Sequence, residues 1–464
     1  MKNDLPACLA VLYLIATVFS GTAIAATAVV PTDYAAIQDA VNAVQNDLDP
    51  GEVIINSNAT FNEWIVVNES VTLRAGIGFA PVIASPVNHL PPIRVRALQN
   101  HDTAVLFQGI ETMTDTGGPS EAISVSNDSA ANVLNVEIDS VTVDVTDGQS
   151  GISVASASIN ADINITIRNS LIRIEGEGSG NPNCIRFDPF AYSINAFLFN
   201  NTFQYSGAGG ISIEGGRDDK LMYAYIDANV FEGFASAAGE GRTGVSIHGT
   251  GTSGSDASPT LTYMTNNLFL NTARAMVANG QQAHTHTVIF NNNTVIGSTS
   301  DGIRFDAYST SMISAYVANN IIFGSAHYGI YRQDPPVGTI NLTNNFNLLF
   351  DNTDGDFLGA TAGSDSLLID PMFTDSSAGD YHLQPSSPAI DSGTNFPPGG
   401  IGWLLEDLDG NARVQDSDGD GTATCNIGAY EVPADTPFSP SVSPSAGGGG
   451  GGGGGGCFIG TLAD

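Results

Sequence analysis

The chain is poor in basic residues. It has 14 Lys and Arg against 48 Asp and Glu, which gives a formal net charge of −34. A protein with this charge repels nucleic acid, anionic membranes and any polyanion that no cation bridges. The composition therefore excludes nucleic acid as a partner and leaves neutral glycans, calcium-bridged glycans and other protein surfaces as ligand classes.

Cysteine is also scarce. Of the four cysteines, Cys8 lies in an N-terminal leader, so that Cys184, Cys425 and Cys457 are left for the mature chain. Three cysteines that lie far apart in sequence exclude a disulfide framework and a cysteine-rich zinc module.

Long apolar runs are absent except at the N-terminus. Residues 1–25 contain Lys2, an apolar stretch from Ala7 to Phe19 and the small-residue pattern Ala23-Ile24-Ala25. This order is typical of a cleaved signal peptide, and an uncleaved membrane anchor is the alternative. We expect a secreted or cell-surface protein without a transmembrane span in its mature chain.

One short helix is predicted after the leader. Tyr34, Ile37, Val41 and Val44 are apolar at helical spacing, and Thr32-Asp33 before them has the composition of a helix N-cap. Runs of β-branched residues follow from residue 52 onward. This order predicts a helix that caps the start of a β-solenoid.

A repeated motif runs through the rest of the chain, namely an apolar residue that usually follows a small one and starts an alternating segment. The nine apolar positions are Ile93, Ile123, Ile152, Ile185, Ile211, Val245, Met276, Ile303 and Ile330. Their spacing varies from 26 to 34 residues, which excludes a fixed helix pair and favours three-stranded coils with loop insertions. The motif predicts an all-β solenoid of nine turns.

A second marker is an asparagine in the same phase of most repeats. Its members are Asn169, Asn201, Asn229, Asn267, Asn293, Asn320 and Asn345. Asparagine tolerates left-handed backbone and bonds main-chain groups, so one asparagine per coil at the same corner is expected to form a ladder. We therefore interpret these asparagines as structural.

The sequence Pro31-Thr32-Asp33-Tyr34-Ala35-Ala36-Ile37 and the Asn-Asn-x-Phe rungs resemble the pectin-lyase-like proteins over residues 30 to about 350. The resemblance implies a right-handed parallel β-helix over residues 26–365. It does not identify an activity, because this superfamily includes polysaccharide lyases, glycoside hydrolases, epimerases and adhesins.

The C-terminal third carries two further resemblances. Residues 366–432, with Ile369-Asp370-Pro371 and Asn426-Ile427-Gly428, resemble the choice-of-anchor Q segment, which implies a β-rich terminal cap. Residues 433–464 are rich in Pro, Ser and Gly and predict a flexible tether. Cys457-Phe458-Ile459 within it resembles the Cys-Phe-Ile box of exported bacterial proteins, although the box is followed by few residues, and Cys457 is the attachment candidate.

Two outward columns of side chains follow from the inward position of the repeated apolar residues. One column contains Arg186, Ser212, Ser246, Val277, Arg304 and Tyr331, and the other contains Asp188, Glu214, His248, Asn279, Asp306 and Gln333. The candidate ligand-binding residues among them are Arg186, Asp188, Glu214, His248, Arg304 and Asp306. Simple surface ion pairs are the alternative, since Arg-Phe-Asp occurs twice in these columns.

Binding of carbohydrate or of a partner surface, as in an adhesin, is the predicted function. A polysaccharide lyase or a glycoside hydrolase is the alternative. A lyase needs a base and cations, but the mature chain keeps one lysine, Lys220, in an acidic loop. A hydrolase needs two carboxylates, for which Asp188 and Glu214 are candidates, but the Asn-Thr-Asp, Asp-Asp and Gly-His-Gly motifs of polygalacturonases are absent.

Two segments have the composition of metal sites. Asp416, Asp418 and Asp420 alternate with small residues as in the first half of a calcium loop. The twelfth position is Ile427, so Glu431 or Asp409 would have to complete the site, and a solvated acidic turn is the alternative. His284-Thr285-His286 puts two imidazoles on one strand face without a third ligand, for which we expect a polar exposed strand.

Overall fold

The structure is a computed structural model. It describes residues 26–434 except 47–48, 87–89, 99–100, 115–120, 129–131, 147–149, 156–161, 177–181, 189–192, 216–219, 236–241, 250–258, 335–336 and 400–404. The predicted signal peptide with Cys8, most of the predicted tether and Cys457 lie outside the described residues. No helix among the described residues has both the length and the apolar composition that crossing a bilayer requires.

The described chain forms three parallel sheets, here named A, B and C, which contain 12, 11 and 11 strands. Each coil contributes one strand to each sheet in turn, so strands that neighbour one another within a sheet come from successive coils. The predicted right-handed parallel β-helix is therefore confirmed. The sheets have more strands than the nine repeats read from the sequence, because the first and last coils lack the full motif.

Sheet A consists of Thr27–Val30, Gly51–Ile55, Val71–Ala75, Thr103–Gln108, Val133–Asp139, Asp162–Arg168, Ile194–Phe199, Met222–Asp227, Pro259–Thr265, Thr285–Asn291, Met312–Ala318 and Thr339–Asn345. Sheet B consists of Thr60–Asn62, Val82–Ala84, Glu111–Thr114, Thr142–Thr146, Leu171–Glu175, Thr202–Ser206, Val230–Gly233, Leu268–Leu270, Thr294–Ile296, Ile321–Phe323 and Leu348–Phe350. Sheet C consists of Ile65–Val67, Ile93–Ala97, Glu121–Asn127, Ser150–Ala155, Asn183–Asp188, Gly209–Glu214, Val245–His248, Met276–Gly280, Ile303–Ala307, Tyr328–Arg332 and Gly355–Leu358.

The repeated apolar residues form one internal column in sheet C, as predicted. Each of the nine pairs with the next, from Ile93 to Ile330, and all are fully buried. Ile65 and Phe357 extend the column by one coil at each end. Stacking of side chains of similar volume at the same place in each coil builds a continuous apolar core.

The small residue before each apolar position has a steric reason. A Cβ at Gly210 would lie 3.0 Å from Phe231, and one at Gly244 would lie 2.8 Å from Phe269. These phenylalanines belong to sheet B and stack on each other with ring centroids 4.6 Å apart. The carbonyl oxygens of Gly244 and Ala275 on the next coil lie closer still to these two positions, at 2.4 and 2.7 Å, so neighbouring backbone and the aromatic stack of sheet B together leave no room for a side chain there.

The predicted N-terminal helix is present as Ile37–Val44 and packs its apolar side against the first coils. Its first free backbone N–H groups, those of Ile37 and Gln38, donate to the carboxylate of Glu63 at 3.0 Å each. The expected Thr32-Asp33 cap is not used, because the Asp33 carboxylate accepts from the backbone of Val29 instead. The cap comes from a residue of the next coil, which ties the helix to the solenoid.

The asparagine ladder is present, with a corrected membership. Its fully buried members are Asn201, Asn229, Asn267, Asn293, Asn320 and Asn347. In each step, both the backbone N–H and the side-chain amide of one asparagine donate to the side-chain oxygen of the next, as from Asn267 to Asn293 at 3.0 and 2.9 Å.

Two predicted members of the ladder were wrong. Asn169 has a φ of 52° and occupies the left-handed position just before the ladder, where Ser170 takes the ladder place. Asn345 is the last residue of its strand, and Asn347 completes the ladder. The left-handed backbone belongs to the preceding residue of each corner, such as Asn266 with a φ of 55°, and not to the ladder asparagine.

Residues 366–432, which we call the strap, contain the antiparallel strands Phe373–Asp375 and Asp380–Leu383 and the 3-10 turn Ser376–Ala378. The strap begins beneath the last coil, where Leu367 bridges Leu348, and then lies along the outer face of sheet B. Its apolar residues form a second core with that face. The segment predicted as a terminal cap thus also covers one side of the solenoid.

The outer face of sheet B changes character along the axis. One outward column runs Asp144, Arg173, Gln204, Glu232, Leu270, Ile296, Phe323 and Phe350. Its polar half is open to solvent, and its apolar half belongs to the core under the strap. The burial of apolar surface therefore determines where the strap lies.

We predict that Asn267→Ala lowers the free energy of unfolding by about 2–5 kcal/mol, because it removes the acceptor of the buried backbone N–H of Asn229 and the amide that donates to the carbonyl of Ile226. Urea unfolding measures the change. Asn345→Ala is the matched control and should change stability by less than about 1 kcal/mol. Equal effects of the two substitutions would contradict the ladder's role.

A second prediction concerns the core under the strap. Ile321 is 1% exposed, and a Cβ at Gly428 of the strap would lie 2.7 Å from it. Ile321→Asp should cost at least about 3 kcal/mol, since an unpaired carboxylate would be buried there. Thr202→Asp, in the same column of sheet B but beyond the strap, should be near neutral. A comparable loss in both variants would show that the strap does not seal this face.

Candidate functional site

The candidate site lies on the outer face of sheet C. Strand pairing places the two outward columns in the predicted register: Arg186 pairs with Ser212, and Glu214 pairs with His248. The second column continues from His248 through Asn279 to Asp306. The sequence therefore predicted the register of these columns correctly, but Ser212 and Asp306 in them are buried, at 7% and 5% exposure.

A cavity of about 390 Å³ opens on the central part of this face. It is lined by Pro182, Asn183, Arg186, Gly209, Ser212, Glu214, Arg242, Thr243, Ser246 and His248. Three of the six predicted ligand-binding residues thus meet in one cavity. Asp188 does not line the cavity but pairs with Arg186, which does. Arg304 and Asp306 lie on later coils and do not line the cavity.

Arg186 organises the cavity. Its guanidinium donates to the Glu214 carboxylate at 2.9 Å and lies 3.5 Å from the Asp188 carboxylate. All three side chains keep part of their surface exposed. The predicted pairing of Arg186 with Asp188 is present, but the shorter contact crosses to the next coil, so the group forms a cluster rather than an isolated surface pair.

The two titratable groups beside Arg186 are shifted in ways that suit proton transfer. Burial and the nearby Asp188 raise the pKa of Glu214, although Arg186 opposes the shift. Burial lowers the pKa of His248. Near neutral pH the cavity therefore presents a carboxyl group with an increased tendency to hold a proton beside a neutral imidazole.

A second polar cluster occupies the later coils of the same face. The Arg304 guanidinium donates to Asp306 at 2.7 Å and to Asp301 at 3.3 Å, and it stacks on the Tyr331 ring at 4.0 Å from the centroid. These contacts hold Arg304 flat against the sheet. The Arg304 side chain keeps 28% of its surface exposed.

Several lining residues were missed by the sequence analysis. Asn183 lies two positions before Ile185, and Arg242 and Thr243 lie in the loop between Gly233 and Val245. Strand alternation does not predict where loop side chains point, so the repeat could not predict that Arg242 and Thr243 line the cavity. Lys220 lies on the chain between Glu214 and Met222 and does not line the cavity, and Arg217, Asp218 and Asp219 lie outside the described residues.

The two histidines of the His284-Thr285-His286 segment are buried, so the expected exposed strand was wrong. His284 is 4% exposed, and His286 is fully buried with its Nδ1 2.9 Å from the Thr260 hydroxyl. Burial lowers the pKa of His286 to about 3, which keeps it neutral. The reason is register: His286 pairs with the inward positions Thr260 and Ile313 inside the solenoid.

The acidic loop of the strap brings Asp416 and Asp418 together with Asp391, with one carboxylate oxygen of each within 4.8 Å of the others. Asp391 was not predicted. The Asp420 carboxylate accepts from the backbone of Thr422, and Asp409 and Glu431 bind His382 and Arg413. Burial raises the pKa of Asp391 to about 6, with Asp418 contributing. Three carboxylates at this separation match the oxygen donors that calcium prefers.

No family model and no curated protein matches the chain. Among solved structures, it is similar to the A-module of the Azotobacter vinelandii mannuronan C-5 epimerase AlgE4, with 13% identity, a TM-score of 0.29, and coverage of 73% of this chain and 93% of the other. It is also similar to the Yersinia enterocolitica family 28 exopolygalacturonase, with 11% identity, a TM-score of 0.25, and coverage of 71% and 74%. Similarity at this level carries no information about activity.

Proposed function

We propose that the outer face of sheet C binds an extended carbohydrate chain, with the Arg186, Glu214 and His248 cavity as its central subsite. The observation that supports the proposal most directly is the cavity itself, which gathers charged, amide, hydroxyl and imidazole groups on three successive coils. A polar concave surface with many hydrogen-bonding groups suits the hydroxyl-rich faces of sugars.

The repeat of the solenoid favours a polymer over a small ligand. Successive coils present equivalent positions at about 4.8 Å intervals, so one face offers a linear series of contacts. Outward arginines occur along this series at Arg94, Arg96, Arg186 and Arg304. They reduce the local effect of the overall negative charge, so acidic sugars belong among the ligands to be tested beside neutral ones.

Polysaccharide cleavage is the second candidate function. It is favoured by the pairing of Glu214, whose pKa is raised, with the neutral His248 on the next coil. Such a pair can supply one proton donor and one acceptor at the same sugar unit. Binding remains the primary proposal because it requires only the polar face and the cavity.

The chain is proposed to act outside the cell, since its leader has the pattern of a signal peptide. Attachment through the tether and Cys457 is part of the same proposal. A protein held at a surface by a long flexible segment can present sheet C to polymers around it.

We expect affinity to grow with glycan length, because each exposed contact contributes little by itself. A glycan array with neutral and acidic polymers tests this. Asp188→Ala/Glu214→Ala/His248→Ala should weaken binding by about tenfold or more, whereas Asp144→Ala/Arg173→Ala/Glu175→Ala, on the outer face of sheet B, should bind like the parent.

Equal binding by the two triple variants would show that the binding site does not lie on the outer face of sheet C. The same polymers should be followed for unsaturated products by ultraviolet absorbance and for new reducing ends. Turnover that Glu214→Gln alone abolishes would promote cleavage over binding.

We further propose that calcium binds Asp391, Asp416 and Asp418 and stabilises the strap. Calcium at a concentration a hundredfold above its dissociation constant should add about 2.7 kcal/mol to stability. Melting curves with calcium and with chelator measure the gain. Asp418→Asn should lose it, and Asp420→Asn should keep it. A calcium response that is unchanged in Asp418→Asn would leave the loop as a solvated acidic turn.

A further inference from the structure

The contact between the strap and the solenoid contains an unusual concentration of buried charge. Arg413 and Glu431 are each 2% exposed, and Asp407 is 3% exposed. Asp227 of sheet A, which keeps part of its surface exposed, lies beside them on the solenoid. Elsewhere the interface combines apolar packing with uncharged hydrogen bonds, such as those of Asn319 with Thr394 and of Ala429 with Thr294, so the cluster is distinguished by its charge.

Arg413 is the centre of the cluster. Its guanidinium donates to Glu431 at 2.8 Å and, through Nε, to the side-chain oxygen of Asn266 at 3.0 Å. The Asn266 amide in turn donates to Asp227 at 3.0 Å. One hydrogen-bonded chain therefore runs from the strap into a left-handed corner of the solenoid.

The charges in this cluster do not balance. The cluster contains three carboxyl groups and one guanidinium: Arg413 pairs with Glu431, Asp227 is joined to it through Asn266, and Asp407 accepts from the backbone N–H of Glu431. Asp407 accepts from the backbone of Asp409, Asn411 and Glu431, at 2.9, 2.7 and 2.6 Å. Burying excess negative charge costs free energy, and this cost is smallest when one of the carboxyl groups binds a proton.

We propose that docking of the strap takes up a proton on Glu431, so that the strap holds the solenoid tightly in mildly acidic conditions and loosens as the pH rises toward neutrality. Glu431 is the acceptor because it is the more deeply buried of the two carboxyl groups bonded into the Arg413 chain. The proposal does not depend on the carbohydrate function of sheet C.

The direction of the titration agrees with the geometry. Burial raises the pKa of Glu431 to about 7, although Arg413 and the backbone N–H of Asn426 oppose the shift. Burial also raises the pKa of Asp227 to about 6 against the hydrogen bonds from Thr265 and Asn266. An undocked glutamate has a pKa near 4.5. The docked state therefore binds more protons between these values, so this contribution to docking is complete below pH 4.5 and is lost as the pH rises through about 7. The neighbouring Cys425 thiol stays neutral throughout, since burial raises its pKa to about 12.

The chain carries its own reporters for the test. Cys425 lies in the strap and is 4% exposed, whereas Cys184 lies inside the solenoid and is fully buried. Opening of the strap exposes Cys425 alone, and global unfolding exposes both. In the full chain carrying Cys457→Ser, thiol labelling followed by mass spectrometry separates the two events.

Labelling is to be measured from pH 5.5 to 8.5 in chelator, with each rate divided by that of a free model thiol at the same pH. In the parent, corrected labelling of Cys425 should rise with pH up to about 7, by up to about tenfold per pH unit for one proton, and then level off, while Cys184 stays protected. Glu431→Gln should flatten the profile. Asp351→Asn, which removes an exposed carboxyl group, should leave it unchanged.

A Glu431→Gln profile as steep as the parent's would overturn the proposal, as would a parent profile without pH dependence. If Glu431→Gln labels at Cys184 and therefore fails to fold, Asp227→Asn carries the test. It removes the second carboxyl group with a raised pKa and keeps an oxygen acceptor for Thr265 and Asn266. Asp227→Asn should reduce the slope, and an unaltered slope in this variant would count against proton uptake at the cluster.

Discussion

Every coil of this protein must place equivalent groups directly above those of the coil before it, and from Asn201 to Asn347 the buried asparagine ladder is the interaction that enforces this. The side-chain oxygen of one asparagine accepts both the backbone N–H and the amide of the previous one, so a shift of a coil by one residue would leave several buried polar groups without partners. The left-handed residue before each asparagine lets the chain turn the corner at constant rise. Apolar columns, aromatic stacks and outward columns all follow from that alignment.

The inward side chains of each coil build the core and are mainly apolar. The chemistry of the outward side chains is therefore what changes from coil to coil along the solenoid axis. On sheet B the outward residues change from polar to apolar at Leu270, and the strap covers the apolar part. The outward residues of sheet C are mainly polar from Ser124 onward, and the cavity around Arg186 opens on that face. One face thus serves to dock part of the chain itself, and the other is left to meet a ligand.

Arginine has two different roles in this acidic protein. Arg186 holds two carboxylates at a partly exposed cavity, where water screens the interaction and a ligand can replace part of it. Arg413 holds Glu431 in a dry interface, where desolvation dominates and the charges must be compensated by hydrogen bonds or by a proton. The same side-chain chemistry therefore supports adaptable contacts at the candidate site and a specific, condition-dependent contact beneath the strap.

The repeat by itself determined the class of fold, the internal column from Ile93 to Ile330 and the two outward columns that contain Arg186 and Glu214. It could do so because strand alternation and coil stacking are local rules that sequence spacing expresses directly. The ends of the asparagine ladder were misassigned, since the backbone conformation of Asn169 and the strand position of Asn345, which keep both out of the buried ladder, leave no trace in the spacing of the residues. Tertiary structure alone decided that Arg242 completes the cavity, that Asp391 joins the acidic loop, and that Arg413 reaches Asn266, 147 residues away. These contacts join loops and the strap to the solenoid, and no periodicity relates such segments, because their positions follow from which apolar surfaces are left to be buried.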